Sequence, residues 1–312
     1  MHVNAVPVFV DISPVNYCID PDRVEEAITP RTKAIIPVHL GSSIAELDRL
    51  TEIAKKHNLT LIEDCAHAHG SKWRGKGVGS WGDMGSWSFQ SSKIMTAGEG
   101  GMLTTNDKIL SQKIHSIVNC GRKTDEYNEF EGYLFGYNAR LTEFQAAVLL
   151  AQLDRMDSLN EQKAKALEYL AGELHKLGGL TLIPRDPRET RQGIYQVIFK
   201  YDPAAFKGLH RDKFLDALEA EGVEMSGAFY VPLPLSPLFN ARTEDYPMLR
   251  DRYGDGIQAP ATMRKYKFPV GSKAAFDEGC WMHYPYLLGE KSDLDDIVAA
   301  VAKVKEHCEE LL

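Results

Sequence analysis

The polar and apolar positions change period several times in the first hundred residues, and each change marks an element. Pro7 to Ile12 is apolar and β-prone and reads as a strand. From Pro21 to Ile28 the pattern turns helical, with Asp20 placed as N-cap and proline at the first helical position. Ala34 to His39 is a β-rich run. Ala45 to His57 returns Leu47, Leu50, Ile53 and Ala54 to one helix face, and Leu59 to Glu63 is again a strand. This strand–helix alternation predicts a parallel sheet with helical crossovers. Such sheets bind ligands at the carboxyl ends of their strands, where His39 and Asp64 fall.

Met84 to Gln90 and Gly101 to Thr105 read as two more strands, Lys108 to Val118 as a helix, and Asn119 to Asn138 as loop. A long helix opens at Thr142-Glu143-Phe144-Gln145, a capping box, and its pattern runs to Leu177 before Gly178-Gly179, with a kink expected near Asp157-Ser158. In the second half, Tyr195 to Lys200 reads as a strand, His210 to Ala220 and Ser292 to Leu311 as helices, and Tyr230 to Tyr266 as a proline- and aromatic-rich loop. The expectation is an α/β protein of two lobes: residues 1–155, a large and mainly parallel domain, and residues 156–312, the long helix and a smaller α+β domain.

Charge and composition narrow the function classes. A net charge of −8 gives no support to nucleic-acid binding. No apolar run approaches the ~20 residues of a membrane span. Five scattered cysteines read as reduced thiols, so the expectation is a cytoplasmic protein without membrane or nucleic-acid partners.

The candidate chemistry centres on Ser88 to Gly101, where Lys93 lies between an apolar strand and a glycine-rich turn. Upstream, Leu61-Ile62-Glu63-Asp64-Cys65-Ala66-His67 ends a strand on a carboxylate. An aldehyde cofactor needs this pair: an amine for a Schiff base and an acid to keep a ring nitrogen protonated. Together they point to pyridoxal phosphate (PLP). Each has a plainer reading. Lysines are mostly solvated surface charges, and a strand-end aspartate often caps the next helix. His67 would touch the ring, or be a loop histidine with one hydrogen bond. Ser88 would donate to a phosphate, or face solvent. Cys65, His67 and His69 lack zinc-site spacing. Gly70 to Gly77 has the glycine and lysine spacing of a phosphate loop, yet Gly77 stands where a magnesium-binding hydroxyl belongs. A hairpin turn accounts better for that stretch than a nucleotide site.

Taken together, these residues resemble the DegT/DnrJ/StrS family of PLP-dependent sugar aminotransferases. The blocks that carry the resemblance include Pro7 to Asp11, Ile36 to Leu40, Ile62 to His67, Val78 to Ser80, Ser88 to Gly101, Gly136 to Leu141 and Leu287 to Gly289. The resemblance implies the aspartate aminotransferase-like fold, fold type I. It implies that Lys93 carries the Schiff base, Asp64 holds the pyridine nitrogen, His67 contacts the ring and Ser88 binds the phosphate. Asn138 would reach the phosphate of a partner subunit, so a homodimer is implied. The implied reaction moves an amino group from glutamate or glutamine to a keto-sugar or ketocyclitol. His39, Gln90 and Tyr230 are candidate substrate contacts. Relatives that act as dehydratases carry histidine where Lys93 stands.

Departures from the family pattern occur at Gly41-Ser42-Ser43 and Asn119-Cys120-Gly121, which puts the identity of the sugar in doubt. Gln90 and Thr96 to Gly101 lean toward the subgroup acting on inososes and aminoshikimate-type ketones. The family's N-terminal phosphate-binding turn is not found before Pro7. The expectation is therefore a chain lacking that region, and the alternative function is a non-catalytic PLP-binding homologue with a binding or regulatory role.

Overall fold

The structure, a computed structural model, describes residues 3, 5–227, 230–236 and 268–312. Helix α1 (Pro21–Ala27) starts where Asp20 accepts the Asp22 amide. Strand β1 (Ala34–Ile35) follows. Helix α2 (Leu47–His57) buries the expected face of Leu47, Leu50, Ile53 and Ala54 and stops at Asn58 in the left-handed region, which asparagine tolerates. Strand β2 (Thr60–Asp64) alternates strictly, with Leu61 and Glu63 buried on one face and Asp64 on the other.

Strands β3 (Lys72–Trp73) and β4 (Lys76–Gly77) form the expected hairpin. Its two-residue loop, Arg74-Gly75, has positive φ at both positions, the backbone of a type I′ turn. Strands β5 (Met84–Ser88) and β6 (Gly101–Thr104) complete the main sheet in the order β1-β2-β5-β6. The first three strands are parallel and β6 is antiparallel. At Gly85 a side chain would collide with the Gly79 backbone. This lets the Gly79–Gly82 turn pack flat on β5.

Two expectations need correction. The Pro7–Ile12 run forms no ladder among the described residues; Ile12 bridges only Ile19. A strand is held by its neighbours rather than by its own propensity. Here Asp11 turns its carboxylate to the amides of Val270 and Gly271. The long helix α4 (Glu143–Leu177), which follows α3 (Lys108–Val118), runs through Asp157-Ser158 without a break. Its capping box is present, with Thr142 and Gln145 bonded reciprocally.

Beyond α4, strand β7 (Leu180–Leu182) leads to β8 (Glu189–Arg191), which pairs with β3. Strand β9 (Gln196–Tyr201) lies between β7 and β10 (Gly279–His283) in an antiparallel sheet. Helices α5 (Arg211–Ala220) and α6 (Lys291–Glu306) contribute to its core with Leu170 and Leu174 of α4. Phe199, Phe206, Phe214 and Val301 are among the residues fully withdrawn from water there. Each such apolar side chain contributes about 1.5–3 kcal/mol. Most of the expected Tyr230–Tyr266 loop lies outside the described residues.

Candidate active site

Lys93 closes a tight turn after β5. Its amide donates to the Gln90 carbonyl at 2.9 Å. The loop that follows is returned to the strand by Thr96, whose hydroxyl donates to the Phe89 carbonyl, and by Ala97, whose amide does the same. Helix α4 clamps this loop. Gln152 accepts the Thr96 amide at 2.9 Å and donates to the Thr96 carbonyl at 2.6 Å, while Gln145 donates to the Glu99 carbonyl. The aperiodic stretch around Lys93 is thus fixed by side-chain amides on a rigid helix.

The Lys93 amine stands 4.5 Å from the centre of the Tyr195 ring. Among the described residues it has no ion pair with a carboxylate. Burial lowers its proton affinity, and the nearby Asp64 pulls the other way. Asp64 sits at the carboxyl end of β2, where one carboxylate oxygen accepts the Ala66 amide at 3.1 Å.

His67 lies 4.2 Å from the Tyr195 ring, centre to centre. Its Nδ1 accepts the Gly41 amide at 3.4 Å, and its Nε2 faces the Tyr230 hydroxyl at 3.4 Å. Burial, then the charge of Lys93, pushes its pKa down to about 3, so the ring is neutral at ordinary pH. Burial similarly takes His69 down to about 4. Ser88 accepts the Gln90 amide on its hydroxyl oxygen at 3.4 Å, which leaves its own O–H to donate.

The structure brings Asp64, His67, Lys93 and Tyr230 into one neighbourhood. It treats three other residues differently. His39 is buried, with Nε2 bonded to Glu63 at 3.2 Å and Nδ1 accepting the Ala45 amide at 3.1 Å. Both ring nitrogens are taken by the fold, so His39 is placed as a structural group rather than as a substrate contact. Gln90 folds its amide back onto its own turn: Oε1 accepts from the Ser92 amide and hydroxyl, and Nε2 donates to Ser91. Asn138 stands exposed in a segment bridged to Asn119, and none of the described hydrogen bonds ties its side chain to the residues around Lys93.

Sequence reasoning missed Glu63 and Tyr195. Glu63 is fully buried and accepts four hydrogen bonds, from His39 and from the amides of Gly79, Trp81 and Gly82. Burial opposes its ionisation, but the His39 bond and the glycine-turn amides outweigh it and hold the carboxyl below its usual range. The Cys65 thiol lies close to this pair, and the hydrogen bonds already account for the His39 and Glu63 ligand atoms. The strand alternation carries a signal for Glu63: Leu61, Glu63 and Cys65 share a parity. Tyr195 gave no local signal, because it arrives from the lead-in to β9, a hundred residues away.

A lysine with no carboxylate ion pair among the described residues, beside an acid at a strand end, is the donor set that PLP requires. The profile of the DegT/DnrJ/EryC1/StrS aminotransferase family matches residues 1–264. The chain belongs to that family. A protein of Streptoalloteichus tenebrarius with the provisional name L-glutamine:3-amino-2,3-dideoxy-scyllo-inosose aminotransferase is 50% identical over 313 residues, covering 100% of this chain and 74% of its own length. The L-glutamine:2-deoxy-scyllo-inosose aminotransferase of the same organism is 39% identical over 320 residues, covering 99% of this chain and 73% of its own. Among solved structures, 3-amino-5-hydroxybenzoic acid synthase superposes with a TM-score of 0.78 at 30% identity, over 96% of this chain and 74% of that one. This member of the DegT/DnrJ/EryC1/StrS family is a PLP-dependent transaminase of fold type I.

Proposed function

We propose that this aminotransferase moves the α-amino group of glutamine to a ring ketone of a cyclitol, with glutamate as the other candidate donor. Keto-sugars are the wider acceptor class, and the inosose names of relatives 35–50% identical favour the cyclitol. The observation that carries the reading is Lys93, an amine with no carboxylate partner among the described residues, next to Asp64 at the carboxyl end of β2.

Lys93 would bind PLP through Nζ, Asp64 would hold the ring nitrogen's proton, His67 would donate from Nε2 at the ring's edge, and Ser88 would donate to the phosphate. Bound PLP supplies an electron sink for the pair released at the amino-acid Cα. Lys93 Nζ, once free, would take the donor's Cα proton and give a proton up on the cofactor side, away from the carbon that becomes the carbonyl. The acceptor ketone reverses these transfers. The donor leaves as its 2-oxo acid and the ketone becomes an amine, so atoms and electrons balance between the two substrates. The Lys93 loop needs rigidity for this, and the Gln152 and Gln145 clamps supply it.

A homodimer is part of the proposal. Phe135, Tyr137, Phe144 and Leu150 stand well out in solvent around the start of α4, and an apolar band of this kind fits a second copy. Asn138 lies within it. A reducing, cytoplasmic setting is supported by five free cysteines, four of them buried.

The test supplies PLP, a keto-inositol and glutamine labelled with ¹⁵N at the α position. Mass spectrometry then looks for labelled aminocyclitol and the 2-oxo acid of glutamine. ¹⁵N that enters an offered keto-sugar but never the keto-inositol would narrow the acceptor class to keto-sugars; no transfer by a protein that holds PLP would end the reading.

A further inference from the structure

We infer that Tyr195 is a positioning residue for Lys93: its ring face holds the ammonium, while its phenol is committed elsewhere and takes no part in proton transfer. The inference rests on Lys93 being the reactive amine.

The hydrogen inventory fixes the role of the phenol. Gln90 Oε1 accepts from the Ser92 amide at 2.9 Å, and Gln90 Nε2 donates to Ser91 at 2.8 Å, which sets the orientation of the amide. Ser92 has one hydroxyl hydrogen, and it goes to Gln90 Oε1 at 2.7 Å. Ser92 Oγ also lies 2.8 Å from Tyr195 Oη. With its own hydrogen spent, Ser92 can only accept, so Tyr195 donates. The phenol proton is therefore locked in a chain that ends on an amide oxygen.

The ring is held just as firmly. The Tyr195 amide donates to the Gly41 carbonyl at 3.2 Å, its carbonyl accepts the Tyr284 amide at 3.3 Å, and its side chain is almost fully buried. His67 packs on the ring at 4.2 Å, and His283 meets it edge-on at 5.6 Å. Lys93 Nζ at 4.5 Å from the ring centre is within cation–π range, and the attraction grows as water is excluded. Among the described residues, the groups around Lys93 are Asp64 and the neutral His67 and His69 on the β2 side, Lys163 of α4, which like Lys93 acts on His69, and Tyr195, Tyr230 and Tyr284 from the C-terminal half, with the Tyr284 hydroxyl donating to the Lys93 carbonyl at 3.5 Å. Asp64 favours the charged amine, and the Tyr195 ring face is a second group that does so.

The experiment measures the titration of Lys93 in cofactor-free full-length protein. Competitive acetylation with trace isotopically labelled acetic anhydride across pH, read by peptide mapping, reports the free-amine fraction at position 93. Tyr195→Phe keeps the ring face, and the midpoint is expected to stay within about 0.3 unit, well inside what a lost cation–π contact would move. Tyr195→Leu removes the face, and the midpoint is expected to fall by about one unit. If Tyr195→Leu fails to fold, mono-, di- and trifluorinated phenylalanine at 195 keep the shape while weakening the ring quadrupole, and the midpoint should fall stepwise. A midpoint insensitive to fluorination, or one moved by Tyr195→Phe as far as by Tyr195→Leu, overturns the inference. Cofactor uptake by the wild type, read separately from its visible band, tests the Lys93 reading itself.

Discussion

Gly41 hands its amide hydrogen to Nδ1 of His67, at 3.4 Å, and so leaves the ring's own hydrogen on Nε2. A peptide amide can only donate, so this contact selects the tautomer. His67 is thereby a fixed, neutral, single donor aimed at the Tyr230 side. His67→Gln retains a donor and is expected to stay close to wild-type activity, whereas His67→Phe loses about 1–3 kcal/mol of hydrogen bonding, about 5- to 150-fold. The pH–rate profiles of wild type and His67→Gln should share the same acid limb between pH 5 and 8. A limb that vanishes with the histidine would contradict the neutral assignment.

On the proposed reading, Lys93→Ala removes both the cofactor's covalent partner and the group that carries the proton. Turnover is expected to fall by about 10²- to 10⁴-fold, the range for a positioned proton-transfer group. The lysine-dependent visible band should disappear, and borohydride reduction should no longer label the peptide spanning residue 93. Folding should be unaffected by circular dichroism, since Nζ forms no ion pair among the described residues.

If Asn138 serves the neighbouring subunit, two inactive chains should rescue one another. In a mixed dimer of Lys93→Ala and Asn138→Ala chains, one site receives Lys93 from the second chain and Asn138 from the first. Co-refolding the two variants is expected to restore activity toward one quarter of the wild-type level, from half the dimers bearing one intact site each. Refolding either alone gives none of this gain. Rescue that never exceeds the sum of the separate variants would place Asn138 on its own subunit's site or on none.

Glu63 anchors the Gly79–Gly82 turn by accepting three amides besides the His39 bond. Glu63→Ala strands those buried donors, and unfolding in urea should show a loss of about 3–5 kcal/mol, the scale for breaking a buried pair. The carboxyl's affinity for protons is lower in the folded state than in the unfolded chain. Its contribution is therefore present above the ordinary carboxylate pKa of about 4.3 and fades as pH falls below it.

His67 and His69 act on a different pH window. Both are buried, with pKa values near 3 and 4, against about 6.5 in the unfolded chain. Below about pH 6.5 the unfolded chain gains protons that the folded protein refuses, so stability is full above that pH and drains as pH falls toward 4. Each histidine takes away up to about 1.4 kcal/mol per pH unit in that range. His69 packs against Trp87 and Phe89, so His69→Phe suits its surroundings. Between pH 7 and pH 5 the urea midpoint of this variant should drop less than that of the wild type.

The elements of the N-terminal half were legible because each carries its own period or cap. The α2 stripe of Leu47, Leu50, Ile53 and Ala54, the Asp20 cap and the Thr142 capping box are all local signals, and the structure holds each of them. Lys93 and Asp64 were legible as a candidate pair for chemical reasons, an amine in a glycine turn and an acid at a strand end, and the structure places them near each other. What the sequence hid is non-local. His39 looked available because nothing near it in the chain reveals that Glu63 and Ala45 occupy its nitrogens. Pro7 to Ile12 looked like a strand because propensity does not reveal that the run finds no ladder partner among the described residues. Tyr195 reaches Lys93 only once β9 has found its place between β7 and β10.

Strand β2 sets two adjacent acids to opposite purposes by the pleat alone: Glu63 points inward to the turn, and Asp64 outward to Lys93's side. The two side chains differ by a single methylene, so their identities hardly distinguish them. A deletion or insertion of one residue between Thr60 and Glu63 would exchange their faces, leaving an aspartate too short for the turn amides and a glutamate at the cofactor end. A frame-preserving slip of this kind should therefore be more damaging than substituting either acid, because it would remove the scaffold's anchor and the proposed ring-nitrogen acid in one stroke.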